Sequence, residues 1–223
     1  MTLSHYPTGL YIEITEQETT SLIIENTEVM ADYVSDIKNL IEKDVGEFCL
    51  YDGDKEIKFS KRCELILDPW SIDYNSKRIK GKLYQLIHDI VEEQFYKDFL
   101  VARAGLYSFL EKVIEHVPYS TIYSTDLDMN TLSKMLDLKI DQGDNTVVER
   151  IVEYMKLMSS LCGVSVFFLV GIRAFISDTD MMLIYKEARY IGVILVIIES
   201  VERSYLEGEH SFIIDKDKCI IKL

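Results

Sequence analysis

Cations are scarce in this sequence. Its 223 residues hold 24 Lys and Arg against 38 Asp and Glu, for a net charge of −14 and a pI near 4.7. Nucleic-acid binding runs on cations that release counterions from phosphates, so at first sight the bulk charge argues against it. Long apolar runs are also missing. The longest, near 164–170 and 191–198, fall well short of the ~20 residues of a membrane span and read as buried strands. The start, MTLSHYPTGLYIEITEQ, has no basic stretch followed by an apolar one, so it is not expected to be a secretory signal. Cysteine is limited to Cys49, Cys63, Cys162 and Cys219, too far apart for a zinc knuckle or a CxxC redox pair. A cytoplasmic, reduced protein with buried thiols is the expectation. His5, His88, His116 and His210 form no HExxH.

The ten glycines exclude three further chemistries. No two lie five apart, so GxxxxGK[ST] is absent, and no two lie two apart, so GxGxxG is absent. None lie four apart, which removes the GxSxG nucleophile elbow. After the apolar run 21–25 the chain reads Asn-Thr-Glu-Val, bulky and acidic where a phosphate needs bare amides and a lysine.

What is present is a globular composition. Apolar residues make up 48% and mean hydropathy is +0.05, and a chain of this length hides on the order of 70% of its unfolded surface. Residues 10–15 and 21–25 read as a β-hairpin across EQETT. Asn26 and Thr27 are placed to cap a helix whose apolar side chains, Met30, Tyr33, Val34, Ile37, Leu40 and Ile41, recur at helical spacing. Strands at 47–51 and 56–59 flank the turn Asp52-Gly53-Asp54, and a strand at 63–67 ends at Asp68-Pro69.

Past Pro69 the pattern turns helical as far as about residue 161. One apolar stripe includes Ile79, Leu83, Leu86, Ile87 and Ile90, and another includes Leu106, Leu110, Val113 and Val117 before Pro118. These stripes predict long antiparallel helices packed on each other. A short helix over 128–136 and a fourth from about 146 to 161 follow. From Gly163 the chain returns to strand (164–170), helix (177–190, capped by Ser177) and strand (193–198). Two apolar strands around a helix predict a parallel βαβ unit. A hairpin, 211–214 with 219–222, comes last. The architecture expected is a discontinuous α/β head from 1–70 and 163–223, with a helical insertion over 71–162.

Two constellations carry possible chemistry. Lys77, Arg78, Lys80 and Lys82 put four cations in six positions at a helix start, where the helix dipole disfavours them. They are either a solvated helix end or the holders of an anion such as phosphate. Lys134, Lys139, Arg150 and Lys156 place further cations on or beside the later helices. The second constellation is acidic. Glu111 and Glu115 are i,i+4, and Asp126-Leu127-Asp128 follows a loop with Ser120, Thr121, Ser124 and Thr125. Carboxylates, hydroxyls and carbonyls are the oxygen donors that Ca²⁺ takes. Equally, Asp126 or Asp128 can cap the short helix.

The passage VERIVEYMKLMSSLCGVSVFFLVGIRAFIS (148–177), together with LVIIES (195–200), FIIDKDKCII (212–221) and TDLDMNTLSKMLDLKID (125–141), resembles the short type II-A CRISPR-associated spacer-acquisition proteins that form rings on double-stranded DNA ends. The resemblance implies a P-loop-like α/β head whose phosphate loop has degenerated, with no Walker A sequence, and an extended helical leg. It implies a homotetrameric ring with a basic hole that binds linear duplex DNA without sequence preference, needs calcium, has no activity of its own, and acts with the CRISPR integrase complex and the RNA-guided nuclease. On this sequence it points to Asp126 and Asp128, with Glu115, as metal ligands, and to Lys134 and Lys139 as DNA contacts. The basic run at 77–82, with Arg150 and Lys156, is added from the charge pattern. The competing expectations are a divergent P-loop-like NTPase, a metal-dependent nuclease, and a module that binds only proteins. A ring with an acidic exterior and a lysine-lined interior is compatible with −14, because salt screens charges over ~8–10 Å.

Overall fold

Whether a strand alternates or is apolar throughout decides which of two sheets it joins. The structure is a computed structural model that describes residues 1–222. In chain order it runs β1 (Thr2–His5), β2 (Leu10–Glu13), β3 (Thr19–Ile24), α1 (Thr27–Lys43), β4 (Phe48–Asp52), β5 (Lys55–Glu56), α2 (Phe59–Arg62), β6 (Cys63–Ile66) and α3 (Lys77–Ile90). A π-helical turn, Val91–Phe95, leads to α4 (Tyr96–Ile114). Then come α5 (Met129–Met135), α6 (Val147–Cys162), β7 (Val166–Val170), α7 (Asp178–Ile191), β8 (Ile194–Glu199), β9 (Glu209–Ile214) and β10 (Ile220–Lys222).

One sheet has six strands in the order β10-β9-β3-β8-β7-β6. The pairs β9–β3, β3–β8, β8–β7 and β7–β6 are parallel, and β10 is antiparallel to β9. β3 and β8 are buried at every position, as strands covered on both faces must be. The other sheet is antiparallel, β2-β1-β4-β5, and its β2 alternates buried and exposed residues. The hairpin expected between 10–15 and 21–25 therefore does not form. A short strand unread in the sequence, β1, takes β2 as its partner. It does so through a 3-10 turn at Tyr6–Thr8 that ends in Gly9 with φ of 71°, a left-handed conformation that glycine adopts without steric cost. The uninterrupted burial of β3 sends it instead into the parallel sheet.

Local signals explain most helix ends. Asn26 accepts from the amides of Glu28 and Val29 to start α1, and Ser177 accepts from Asp180 to start α7. Thr146 and Glu149 close a reciprocal capping box on α6. Gly163 and Gly192 end α6 and α7 in the left-handed region.

By its contacts the chain divides into a sheet unit, Met1–Tyr74 with Gln142–Leu223, and a helical unit, Asn75–Asp141. The sequence reading ends the insertion at 162; in the structure α6 instead packs against α7, burying Ile151, Val152, Met155 and Met158 in the sheet unit. The core lies here too. Phe168 and Val196 are fully buried, and Phe168 stacks on Phe59 at 6.1 Å. In the 3-10 turn that precedes α7, Arg173 is nearly excluded from solvent. Its guanidinium donates to Glu209 (3.2 Å), Asp178 (3.1 Å) and the Ser204 carbonyl (2.7 Å). These bonds partner both terminal nitrogens of the buried guanidinium, which a buried charge requires.

The helical unit is held differently. Asn75 exchanges two hydrogen bonds with Ile140, at 2.9 and 2.8 Å, and Tyr84 donates to the Leu138 carbonyl. Ile79 and Tyr84 are buried on α3, but α4 buries no residue along its 19. The expected packing of the α3 and α4 stripes on each other is therefore corrected. Leu86, Phe95, Leu106, Phe109 and Val113 all stay exposed. α4 also ends at Ile114, before Pro118. The four cysteines are free; Cys63 is buried, but Cys219 is exposed, against the expectation of buried thiols. Among the described residues no helix is long and apolar enough to cross a membrane.

Candidate nucleic-acid interface and metal site

Ser76 caps α3 by accepting from the Ile79 amide, so the first two turns present the basic run. Its four members divide by partner. Lys80 is half-buried and pairs with Asp137 at 2.6 Å. Arg78 is half-buried. Lys77 and Lys82 are exposed and, among the described residues, make no ion pair. Lys134, on the last turn of α5 where the helix dipole favours a cation, is exposed and unpaired in the same sense. Lys139 closes a second ion pair on Asp137, at 2.5 Å.

Asp137 is the organiser that the sequence reading missed. It sits just past α5 with φ of 47°, a left-handed position in which aspartate is one of the few tolerated non-glycine residues. Hydrogen bonds from Lys139 and then Lys80 hold its carboxyl below the usual carboxylate range, and Asp137 in turn raises Lys80. These two lysines are thus partly neutralised, and of the predicted contacts in this unit Lys77, Lys82 and Lys134 are the ones open to an external anion; Lys97 and Lys112 of α4 are exposed as well.

The other two predicted contacts lie in the sheet unit. The Arg150 guanidinium donates to the Trp70 carbonyl at 3.1 Å. Lys156 pairs with Glu153 at 3.0 Å and Glu187 at 3.8 Å, and hydrogen bonding to Glu153 raises its pKa. Both are engaged in stitching α6 to its surroundings.

The acidic constellation resolves into separate local roles. Asp128 is the N-cap of α5, accepting from the Thr131 amide at 2.7 Å, and hydrogen bonding from the Thr131 hydroxyl and then its amide lowers the Asp128 pKa. Asp126 sits in a loop where its amide donates to the Ser124 hydroxyl. Glu115 follows the last residue of α4, its amide donating to the Glu111 carbonyl. Among the described residues no three His, Cys, Asp or Glu side chains converge as a metal centre. The donor chemistry of Glu115, Asp126 and Asp128 suits calcium, but their arrangement does not assemble a site.

The loop that carries Asp126 is fastened to one face of α4. Arg103 donates to the Leu127 carbonyl (3.3 Å), the Tyr107 hydroxyl accepts from the Leu127 amide (3.1 Å), and Tyr123 donates to Glu111 (2.7 Å). Residues 103, 107 and 111 are each four apart, so they line one helix face. That spacing was available as a signal; the partners, mostly backbone groups in an irregular loop, were not.

A sequence profile of the family described as CRISPR-associated protein (Cas_Csn2) matches residues 40–218. No curated protein sequence matches significantly. Among solved structures, one titled "Putative ABC transporter (ATP-binding protein)" from Pyrococcus furiosus superposes at a TM-score of 0.40 with 13% identity, covering 91% of this chain and 88% of that one. A superposition that loose carries no argument about function.

Proposed function

Because the chain belongs to the CRISPR-associated Csn2 family, we propose that it acts in spacer acquisition as a non-catalytic homotetrameric ring that binds linear double-stranded DNA ends without reading their sequence, alongside the integrase complex and the RNA-guided nuclease. The observation that carries this reading is the group of exposed cations, Lys77, Lys82 and Lys134 among them, in a helical unit that balances nine Lys and Arg against ten Asp and Glu. The acidity lies almost wholly in the other unit, so it does not veto phosphate contact here. Lysines act on phosphate as point charges and specify no base, which suits binding without sequence preference.

Assembly is supported by surface chemistry. Leu106, Phe109 and Val113 share one face of α4 at i, i+3 and i+7, and are 46%, 64% and 46% exposed. A contiguous apolar stripe of this kind in a soluble chain calls for a partner. It lies on a different face from Arg103, Tyr107 and Glu111, which are spent on the loop.

A requirement for calcium belongs to the same proposal and rests on the oxygen donors Glu115, Asp126 and Asp128 alone. Since these do not converge, no step of DNA binding is routed through the ion.

The absence of catalysis is supported at two places. Between Ile24 of β3 and Thr27 of α1 lie only Glu25 and Asn26, and the Asn26 side chain is committed to the Glu28 and Val29 amides. Such a turn has no length of backbone to wrap a phosphate, which disfavours the NTPase reading. The separated carboxylates disfavour a nuclease, which needs them together around a metal.

The test is a gel shift with the purified protein, a short linear duplex and a covalently closed circle, each with calcium or with EDTA. The proposal expects the linear form to shift in calcium, the circle to stay free, and EDTA to abolish the shift. Equal binding of the circle, indifference to chelator, phosphate release from ATP, or plasmid cleavage in Mg²⁺ would contradict it.

A further inference from the structure

β2 is an open edge of its sheet, because β1 is its sole neighbour there. The Ile14 amide donates to the Met1 carbonyl, and β1 and β2 are in register with Leu3 opposite Ile12 and Ser4 opposite Tyr11. The alternation of an antiparallel ladder then turns the main-chain groups of Ile12 toward β1 and those of Tyr11 and Glu13 outward. A row of outward amides and carbonyls is a template for another strand.

This edge borders a groove of about 330 Å³ within the sheet unit. Its lining includes Tyr11 and Glu13 from β2, Glu18 from the following loop, His210 and Phe212 from β9, and Lys222 from β10. His210 and Phe212 stack at 5.0 Å, giving the lining an apolar plate. The His210 ring is partly buried, with Nε2 turned away from solvent and from protein partners. Lys222 sits over the Phe212 ring at 5.9 Å, and Glu18 reaches His210 at 3.7 Å while staying largely exposed. The groove therefore joins an unsatisfied strand edge to two solvent-facing carboxylates, with one cation, Lys222, held over the Phe212 ring.

That combination selects its occupant. A second copy of β2 would bring another Glu13 to the same edge, and like charges across a strand pair repel. An extended segment with Lys or Arg at alternate positions satisfies both the main chain and the carboxylates. We propose that the open edge of β2 is a docking site for a basic, extended segment of a partner protein, which adds as a strand beside Tyr11 and Glu13 and sets its cations against Glu13 and Glu18. This mode of recognition draws affinity from main-chain bonds and specificity from alternate side chains. The site is separate from the DNA reading and does not depend on it.

The test uses the full chain and a fluorescent peptide of about six residues, a common strand length, alternating Lys and Thr, with a Glu–Thr peptide as control. Saturable polarisation binding of the Lys peptide alone is expected, with slowed hydrogen exchange at the Tyr11 and Glu13 amides. The double variant Glu13→Lys/Glu18→Lys should weaken binding at least about tenfold. Asp52→Lys/Asp54→Lys makes the same change in net charge at the other end of the sheet and should alter binding by less than about twofold. Tyr11→Pro removes the outward amide without touching a β1 bond, a substitution edge strands tolerate, and should also cost about tenfold. Absence of saturable binding, equal binding of the Glu peptide, equal losses in both double variants, or an unaffected Tyr11→Pro would overturn the proposal.

Discussion

The sheet unit carries 15 Lys and Arg against 28 Asp and Glu and the helical unit nine against ten, so net charges of −13 and −1 divide between them. Burial divides just as unevenly. β3 and β8 of the sheet unit are buried along their whole length, whereas α4 of the helical unit buries nothing. The sheet unit thus completes its own core and turns an acidic surface outward. The helical unit leaves apolar side chains exposed, and lysines exposed and, among the described residues, without ion-pair partners, the surface on which the proposed assembly and DNA contact rest. A whole-chain charge of −14 averages over this division and conceals it.

The sharpest contrast lies between two phenylalanines. Phe168→Ala, in the sheet unit, removes a fully buried ring and should cost about 3–5 kcal/mol by urea denaturation. Phe109→Ala, with the ring 64% exposed, should change stability by no more than about 0.5 kcal/mol while lowering the sedimentation coefficient of the assembly. Equal losses of stability would break the comparison.

A smaller effect separates capping from metal binding in the helical unit. Asp128→Ala should lower Tm, and Asp128→Ser, which keeps a capping oxygen, should restore it. Any rise of Tm on adding calcium should survive the serine variant if Asp128 is only a cap, and should disappear from it if the carboxylate is a ligand.

The smallest effect is in the pH dependence of stability, and its sign differs between the units. Lys139 and Lys80 hold Asp137 below its ordinary value of 3.8. The stability it contributes is present above that value and lost as pH falls through the lower folded one. Burial raises Glu199 above its ordinary 4.5. Its contribution is present below 4.5 and lost as pH rises through the folded value. Glu199→Gln should therefore stabilise most near neutral pH, with the gain shrinking in acid, whereas Asp137→Asn should destabilise near neutral pH and become neutral in strong acid. Denaturation midpoints across pH would show both.

How far the sequence could be read follows the same division. The parallel βαβ unit was visible in the apolar runs 164–170 and 193–198, and the caps Asn26 and Ser177 marked helix starts within a residue, because those signals are local. β1 was missed, since four residues beside Tyr6 and Pro7 carry little pattern; with it went the correct partner of β2. The stripes on α3 and α4 were read as packing on each other because helical spacing records an apolar face but not what covers it. In the candidate site, the cations were visible as residue types, yet which were spent on Asp137 depended on a left-handed turn that charge counting does not reveal. The carboxylates pointed to oxygen chemistry, and only the fold separated a cap, a loop turn and a helix end.

The most direct measurement is the salt dependence of linear-duplex binding by fluorescence anisotropy, for the wild type and for Lys77→Ala/Lys82→Ala/Lys134→Ala. Each phosphate neutralised contributes about 0.9 to the slope of log K against log salt. If the helical unit is the DNA face, the triple variant loses roughly 2–3 from that slope and keeps its assembly state. An unchanged slope with intact assembly would contradict the assignment of DNA contact to these lysines.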